Sequence, residues 1–296
     1  KAMNVSLKQL KVFRAISQEG SITAAAELLN LTKPAVSMAL AEMERQLGRR
    51  LFDRFNKRLL MNEQGHLLLP LADELLERAE AIGHLFAEDG GARGTLKIGS
   101  SYTVGNNLTP FLIGDFRRST GHMSQELEIS NTRDVVDALL SFQLDIGLVE
   151  GFVSAKELIC EDWREDEMVI ICAKDDPLAS RAPIPVSALS KRDWVLREEG
   201  SGTREFFASH ITKSLTGWTL AFELNSPVAI INSVSAGLGL SCLSRLAVKD
   251  ALARGDVCEV SLKQPLTRRF SLLVHRDKYQ SPIAKEFFEF AKNWEY

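Results

Sequence analysis

The sequence predicts an α+β N-terminal module joined by a long helix to a two-lobed α/β domain. Three observations carry this reading. The first 65 residues hold three short, capped helix patterns and a basic hairpin. A long apolar stripe with heptad spacing begins at Leu68. From Thr95 onward, apolar strand patterns alternate with helical ones.

A chain of 296 residues suits two domains, or one small and one bilobal. With 45% hydrophobic and 25% charged residues it has the material for real cores. The net charge of -3 conceals an asymmetry. Residues 1–65 hold 11 Lys and Arg against 6 Asp and Glu, a net of +5, so the remainder carries -8. A basic end on an acidic body points to a single end that meets a polyanion. Cys160, Cys172, Cys242 and Cys258 form no CxxC pair and have no histidine at zinc-ligand spacing. They read as reduced thiols in or near a core, a redox pair being the alternative with little support. No metal is expected. No run approaches the roughly 18 apolar residues that span a bilayer. The first residues, KAMNVSLKQLKVF, lack the apolar segment of a signal peptide. A cytoplasmic protein without a membrane partner is therefore expected.

Ser6 is placed to cap a helix over 7–18, with Leu7, Leu10, Phe13, Ala15 and Ile16 mostly on one face, and Gly20 stops it. Ser21 caps a second helix over 22–29, whose Ala24-Ala25-Ala26 run allows close approach. Thr32 caps a third, with Pro34 in its first turn, where a missing N–H costs little. Val36, Leu40, Met43 and Leu47 line its inner side, and Gly48 ends it. Two short helices around a tight turn, the second exposing Thr32, Lys33, Ser37 and Met38, have the layout of a helix-turn-helix. Strand patterns over 51–54 and 59–61 flank a turn over 55–58, and Arg49, Arg50, Arg54, Lys57 and Arg58 crowd this hairpin. Such a wing can sit over a minor groove or over phosphates. The candidate DNA-binding residues are Thr32, Lys33, Pro34, Ser37, Met38, Arg54, Lys57 and Arg58.

Over these residues the chain resembles the LysR-type transcriptional regulators. The resemblance rests on LKQLKVFRAISQEGSITAAAELLNLTKPAVSMALAEMERQLGRRLFDR and on LLMNEQG, and continues over essentially the whole chain. It implies a winged helix-turn-helix and a sequence-specific DNA-binding regulator of transcription. Two positions depart from the family. Gln often stands where this chain has Lys33, and Arg where it has Met38. A methionine cannot make the bidentate contact to guanine that an arginine makes.

Asn62 can cap a long helix reaching about residue 88, with Asp73, Glu74, Glu77, Arg78 and Glu80 facing out. Leu68, Ala72, Leu75, Ala79, Ile82 and Phe86 repeat at 4-3-4-3-4, a seam suited to pairing two copies of the chain. Pro70 is placed to bend the helix, and residues 89–94 read as a flexible hinge. Domains are therefore expected at 1–65 (DNA-binding), 66–92 (dimerisation helix and hinge) and 93–296 (effector-binding).

In the last domain LKIG, ELEIS and DIGLV read as buried strands, with helices near 104–118 and 132–141 between them. MVIICA, WVLR, TLAFEL, LSCLS and VCEV continue the pattern, and FSLLVH with a helix over 281–295 returns to the first lobe. Alternating βα units imply parallel sheets with helices on both faces. Lobe I is expected over 93–163 and 268–296 and lobe II over 164–267, crossing near Trp163-Arg164 and Leu266-Thr267. Ligands of such lobes bind in the cleft between them. The order is similar to the periplasmic-binding-protein-like (type II) effector domain of the LysR family.

Ser100, Ser101, Tyr102 and Thr103 follow the first strand and open a helix. Their hydroxyls and free N–H groups can hold an anion, or simply cap. Ser201, Gly202, Thr203 and Arg204, after Gly200, open a helix in lobe II, where glycines let the backbone close on a ligand. Thr132 and Glu150 follow other strands, and Ser226 opens a further helix. Glu150 can pair with Arg204, pair with a cationic ligand group, or point away. The resemblance implies effector contacts at Ser101, Thr103, Thr132 and Ser201 to Thr203. It further implies a sulfur oxyanion (sulfite or sulfate) through GSGTRE and SSYT, with a small carboxylate as the runner-up. An enzyme is not expected. His275-Arg276-Asp277 copies a kinase triplet, but the downstream Asn and a GxGxxG are missing. No GxSxG elbow is present, and no catalytic residue or cofactor is nominated. The expected partners are double-stranded promoter DNA, a small anionic effector, further copies of the chain in a homodimer or homotetramer, and RNA polymerase. The alternative is a bilobal small-molecule binder without a DNA function.

Overall fold

In the computed structural model, which describes residues 4–55, 58–85, 94–151, 153–180 and 182–296, each of the first three helices starts on a hydroxyl. Helix α1 (Leu7–Glu19) opens with a capping box, in which Ser6 Oγ accepts from the Gln9 N–H and the Gln9 side chain accepts from the Ser6 N–H at 2.8 Å. Gly20, in the left-handed region at φ 63°, ends it. Ser21 caps α2 (Ile22–Leu28), and Thr32 caps α3 (Lys33–Leu47). Phe13, Ile16, Ala25, Val36 and Met43 form the shared core. Strands β1 (Phe52–Phe55) and β2 (Arg58–Met61) make a hairpin tighter than expected, because Phe55 and Arg58 still pair. The Leu59 N–H donates to the Gly20 carbonyl at 2.9 Å, which ties the wing to the turn between α1 and α2. Lys57 lies outside the described residues.

Asn62 caps α4 (Glu63–Leu85), its Oδ1 accepting from the Gly65 N–H at 3.1 Å, and the helix runs unbroken through Pro70. The expected seam does not survive as one face. Leu69, Ala72 and Leu76 are buried in the core of the module, and Leu68 packs on it. The outward stripe is Leu67, Leu71, Leu75 and Ile82, each more than half exposed. The expected seam mixed two apolar faces of one helix, which a single period cannot separate. Asp73, expected to face out, is fully buried. Phe86 and most of the expected hinge lie outside the described residues.

The second domain has β3 (Leu96–Ser101), α5 (Tyr102–Asn107), α6 (Thr109–Thr120), β4 (Gln125–Ser130), α7 (Thr132–Leu140) and β5 (Ile146–Glu150) in its first lobe. Strand β6 (Leu158–Cys172) leads into β7 (Asp193–Arg197), α8 (Gly202–Phe206), β8 (Thr219–Leu224), α9 (Pro227–Ser235), β9 (Ser241–Ser244), α10 (Arg245–Arg254) and β10 (Cys258–Glu259). Strand β11 (Leu266–His275) and α11 (Pro282–Asn293) return to lobe I. The sheet order is β10-β6-β11-β5-β3-β4, with β9 also on β6 and a separate β7–β8 pair.

The sheets are mixed rather than parallel. β3 runs parallel to β4 and β5, and β7 to β8, but β6, β9, β10 and β11 pair antiparallel. The cause is the crossing itself. Both passages between the lobes lie side by side, β6 against β11 from Leu158↔His275 to Met168↔Leu266, with a bulge at Trp163. Both lobes thus hang on one two-stranded ladder. All four cysteines are free; Cys160 is exposed rather than near a core, while burial pushes the Cys172 and Cys242 thiols up to about 12.

Pairing of two copies through the outward stripe of α4 makes a prediction. Glu at both Leu71 and Leu75 should leave a folded chain that sediments as a monomer, because pairing would bury two charges. A double variant that sediments as the wild type does would exclude this stripe as the pairing face.

Candidate DNA interface and interlobe cleft

The N-terminal half of α3 presents Lys33, Pro34 and Met38 to solvent, with Ser37 half-buried beside them. Thr32 is exposed, and its Oγ1 accepts from the Ala35 N–H at 3.3 Å, so it caps the helix as well as lining the surface. Met38 is 72% exposed. On a recognition helix that thioether suits contact with a thymine methyl rather than with guanine. Arg49, Arg50, Arg54 and Arg58 are exposed around the hairpin. A concavity of roughly 350 Å³, lined by Ser37, Ala41, Glu44, Arg50, Phe52 and Arg54, joins α3 to the wing. Its cations are Arg50 and Arg54, while α3 contributes Ser37 and Glu44.

The two lobes of the second domain meet across a buried polar cluster. Glu150, at the end of β5, is fully buried, and its carboxylate accepts from the Ser101 hydroxyl of lobe I and from Thr203 Oγ1 of lobe II at 3.5 Å. Arg268, buried on β11, donates to Thr203 Oγ1 at 3.0 Å, Thr103 Oγ1 at 3.4 Å and Asp166 Oδ2 at 2.7 Å. The Ser244 hydroxyl donates to the other Asp166 oxygen at 2.6 Å. Burial holds the Asp166 carboxyl above its ordinary range, against the pull of Arg268 and Ser244. A second bridge stacks the Arg197 guanidinium of lobe II over the Tyr102 ring of lobe I at 4.7 Å. The backbones also touch. The Arg133 N–H donates to the Gly200 carbonyl at 3.1 Å, and a Cβ on Gly202 would meet the Glu150 carbonyl oxygen at 2.2 Å. Only glycine fits there.

Beside this cluster opens a cleft of roughly 530 Å³, lined among others by Thr132, Arg133, Ser154, Ser201, Arg204 and Glu205. The structure thus brings together Ser101, Tyr102, Thr103, Thr132, Glu150, Ser201, Gly202 and Thr203. Ser201 Oγ caps α8 by accepting from the Thr203 N–H at 3.2 Å. Arg204 lines the cleft, but it pairs with Glu223 at 3.6 Å and with the Arg197 carbonyl, not with Glu150. Two expected residues fall outside. Ser100 shares the strand face of Leu96 and Ile98, and its hydroxyl is spent inside lobe I on Thr109 and the Leu148 carbonyl. Ser226 caps α9 and lines no part of the cleft. Arg268, Asp166, Arg197 and Arg133 were missed. For Arg268 a signal existed, since it directly follows the expected crossing at Leu266-Thr267.

Residues 7–66 match the family model described as bacterial regulatory helix-turn-helix protein, lysR family, and residues 89–295 match that of the LysR substrate binding domain. The chain is 42% identical over 289 residues to the HTH-type transcriptional regulator YeiE of Escherichia coli K12, covering 97% of each chain. It is 30% identical to the HTH-type transcriptional regulator CysL of Bacillus subtilis, over 94% of each. A full-length OxyR variant from Pseudomonas aeruginosa has a similar fold, with a TM-score of 0.73 at 22% identity, covering 99% of this chain and 95% of that one.

The exposed Arg58 of the wing and the half-buried Ser37 of α3 give separate predictions for DNA binding. Arg58→Ala should weaken binding to all sequences alike and flatten the salt dependence of log K by about one unit. Ser37→Ala should instead alter base preference, read by competition between operator variants. An unchanged salt slope for Arg58→Ala would remove that residue from the phosphate contacts.

Proposed function

The chain belongs to the LysR family of bacterial regulatory helix-turn-helix proteins, and we propose that its interlobe cleft senses a small oxyanion, with sulfite or sulfate as the specific reading. It is a transcription regulator rather than an enzyme, with a DNA-binding module and an effector-binding domain. The alternative of a bilobal binder without a DNA function falls with the match over residues 7–66. Promoter DNA is the ligand of the basic module, and homodimers or homotetramers are the working assembly, with RNA polymerase as a further partner.

The observation that carries the ligand reading is the seat of Glu150. Hydroxyls from both lobes already donate to a carboxylate there, and a guanidinium lies on the far side of the Thr203 hydroxyl. The seat is therefore built for an oxyanion, and the chain fills it with its own. A ligand entering from the cleft past Arg133 and Arg204 takes these donors and displaces the Glu150 side chain. Compact shape matters because Gly151 and Gly202 bring the two backbones almost into contact. A small carboxylate meets the same chemistry and is the runner-up. The lobes bridged by the ligand shift in orientation, and the assembly turns that shift into altered DNA geometry.

Calorimetry on the full-length protein with sulfite, sulfate and a panel of small carboxylates tests this. Binding of at least one of these anions is expected. Thr203→Ala should weaken it about tenfold or more, as loss of a hydrogen bond to a charged group does. Glu150→Gln should tighten it, since the neutral amide competes less well for the hydroxyls. Binding of an aromatic or cationic metabolite but of none of these anions would overturn the reading. So would tight anion binding that survives both Ser101→Ala and Thr203→Ala.

A further inference from the structure

A second polar cluster lies where α4 meets lobe I, remote from the cleft residues. The Lys278 ammonium is almost wholly buried, 2.8 Å from Asp73 Oδ2 on α4 and 3.3 Å from Asp145 Oδ1 just before β5. Asp73 Oδ1 also accepts from Arg14 of α1 at 3.3 Å, and Asp145 Oδ2 from the Lys97 N–H at 2.9 Å. Burial pulls the Lys278 ammonium down, but Asp145, Asp73 and Glu77 outweigh it and hold it above its usual range.

Beside this cluster stands Phe142. It occupies the left-handed region at φ 61°, in the turn that closes α7, where its own N–H donates to the Leu139 carbonyl and the Gln143 N–H to the Ala138 carbonyl. Glycine ordinarily fills that position, and a bulky residue there is strained. Its ring accounts for the choice. It is buried in the apolar core of the N-terminal module, edge-on to His275 at 4.5 Å and 5.7 Å from the Lys278 ammonium.

Three elements of lobe I run from the cleft to this seam. Helix α7 starts at Thr132 in the cleft, and the turn that closes it holds Phe142. Strand β5 ends at Glu150 and is preceded by Asp145. Strand β11 carries Arg268 near one end and His275 at the other, three residues before Lys278. Each element has a cleft group at or beside one end and a seam group at or beside the other.

We propose that Phe142 and Lys278 form a coupling seam, which fixes the DNA-binding module on lobe I so that the state of the cleft sets the position of the DNA-reading helices. This rests on the interlobe cleft being the sensing site. The seam is an interaction surface of lobe I whose partner is the α1–α4 face of the same chain. Glu150 and Phe142 then act on DNA binding through one physical path, and removing Phe142 disconnects Glu150 from DNA.

A double-mutant cycle on the full-length protein tests this, with the promoter fragment next to its own gene as the DNA. Glu150→Gln should change the DNA dissociation constant by about fivefold or more in the wild-type background and by less than about twofold in Phe142→Ala. Lys278→Met repeats the cycle independently, and decides the matter if circular dichroism shows Phe142→Ala to be unfolded. An equal Glu150→Gln effect in all backgrounds overturns the proposal. So does a Glu150→Gln protein that binds DNA as the wild type does, since the cleft would then have no route to DNA. No ligand is added, so the outcome does not depend on whether the effector is an oxyanion.

Discussion

The carboxylate of Glu150, buried between hydroxyls of two lobes, sets the constraint on which the rest of the sensing domain depends. Two carboxylates, Glu150 and Asp166, share the centre with one guanidinium, Arg268, and all three are nearly sealed from water. Removing one partner of such a group leaves a buried charge uncompensated, at a cost of about 3–5 kcal/mol. Polar contacts of this kind contribute little net stability, but they tolerate few geometries. The lobes must therefore sit where Ser101, Thr103 and Thr203 can all reach the charges. The glycine at 202 permits that approach, and the long β6–β11 ladder, bulged at Trp163, keeps the lobes on one hinge.

The same economy governs α4. One of its faces, through Leu69, Ala72 and Leu76, completes the core of the DNA-binding module, so the helix cannot move without the helices it packs on. The opposite stripe, Leu67, Leu71, Leu75 and Ile82, is left for another surface. Between the two, Asp73 faces lobe I and takes Lys278. The helix thus links the DNA-binding module to lobe I, and the buried Asp73 on it is structural rather than solvating.

The parts of the fold that depend on neighbours in sequence were legible. Ser6, Ser21 and Thr32 cap, and Gly20 and Gly48 stop, because these roles are settled within one helical turn. Parts that depend on distant pairing were not. MVIICA was legible as a strand, but the charged first half of β6 before it was not, because it is held by β11 lying alongside it. The crossing at Leu266-Thr267 was legible, but only the strand register puts Arg268 inside and Arg269 out. Ser100 and Ser101 look equivalent, but alternation along β3 turns one into the lobe and the other to the cleft. Asp73 reads as a surface charge on an amphipathic helix, since its partner Lys278 stands 205 residues away.

The proposed coupling joins cleft and seam, at opposite ends of α7, β5 and β11. Hydrogen exchange on the full-length, ligand-free protein carrying Arg268→Lys tests it most directly. This change keeps the charge but removes the fork that holds Thr103, Thr203 and Asp166 together. Faster exchange is expected at Gly202–Glu205 in the cleft and, in the same protein, at Phe142 and Gln143 in the seam. Faster exchange confined to the cleft, with Phe142 and Gln143 protected as in the wild type, would contradict it.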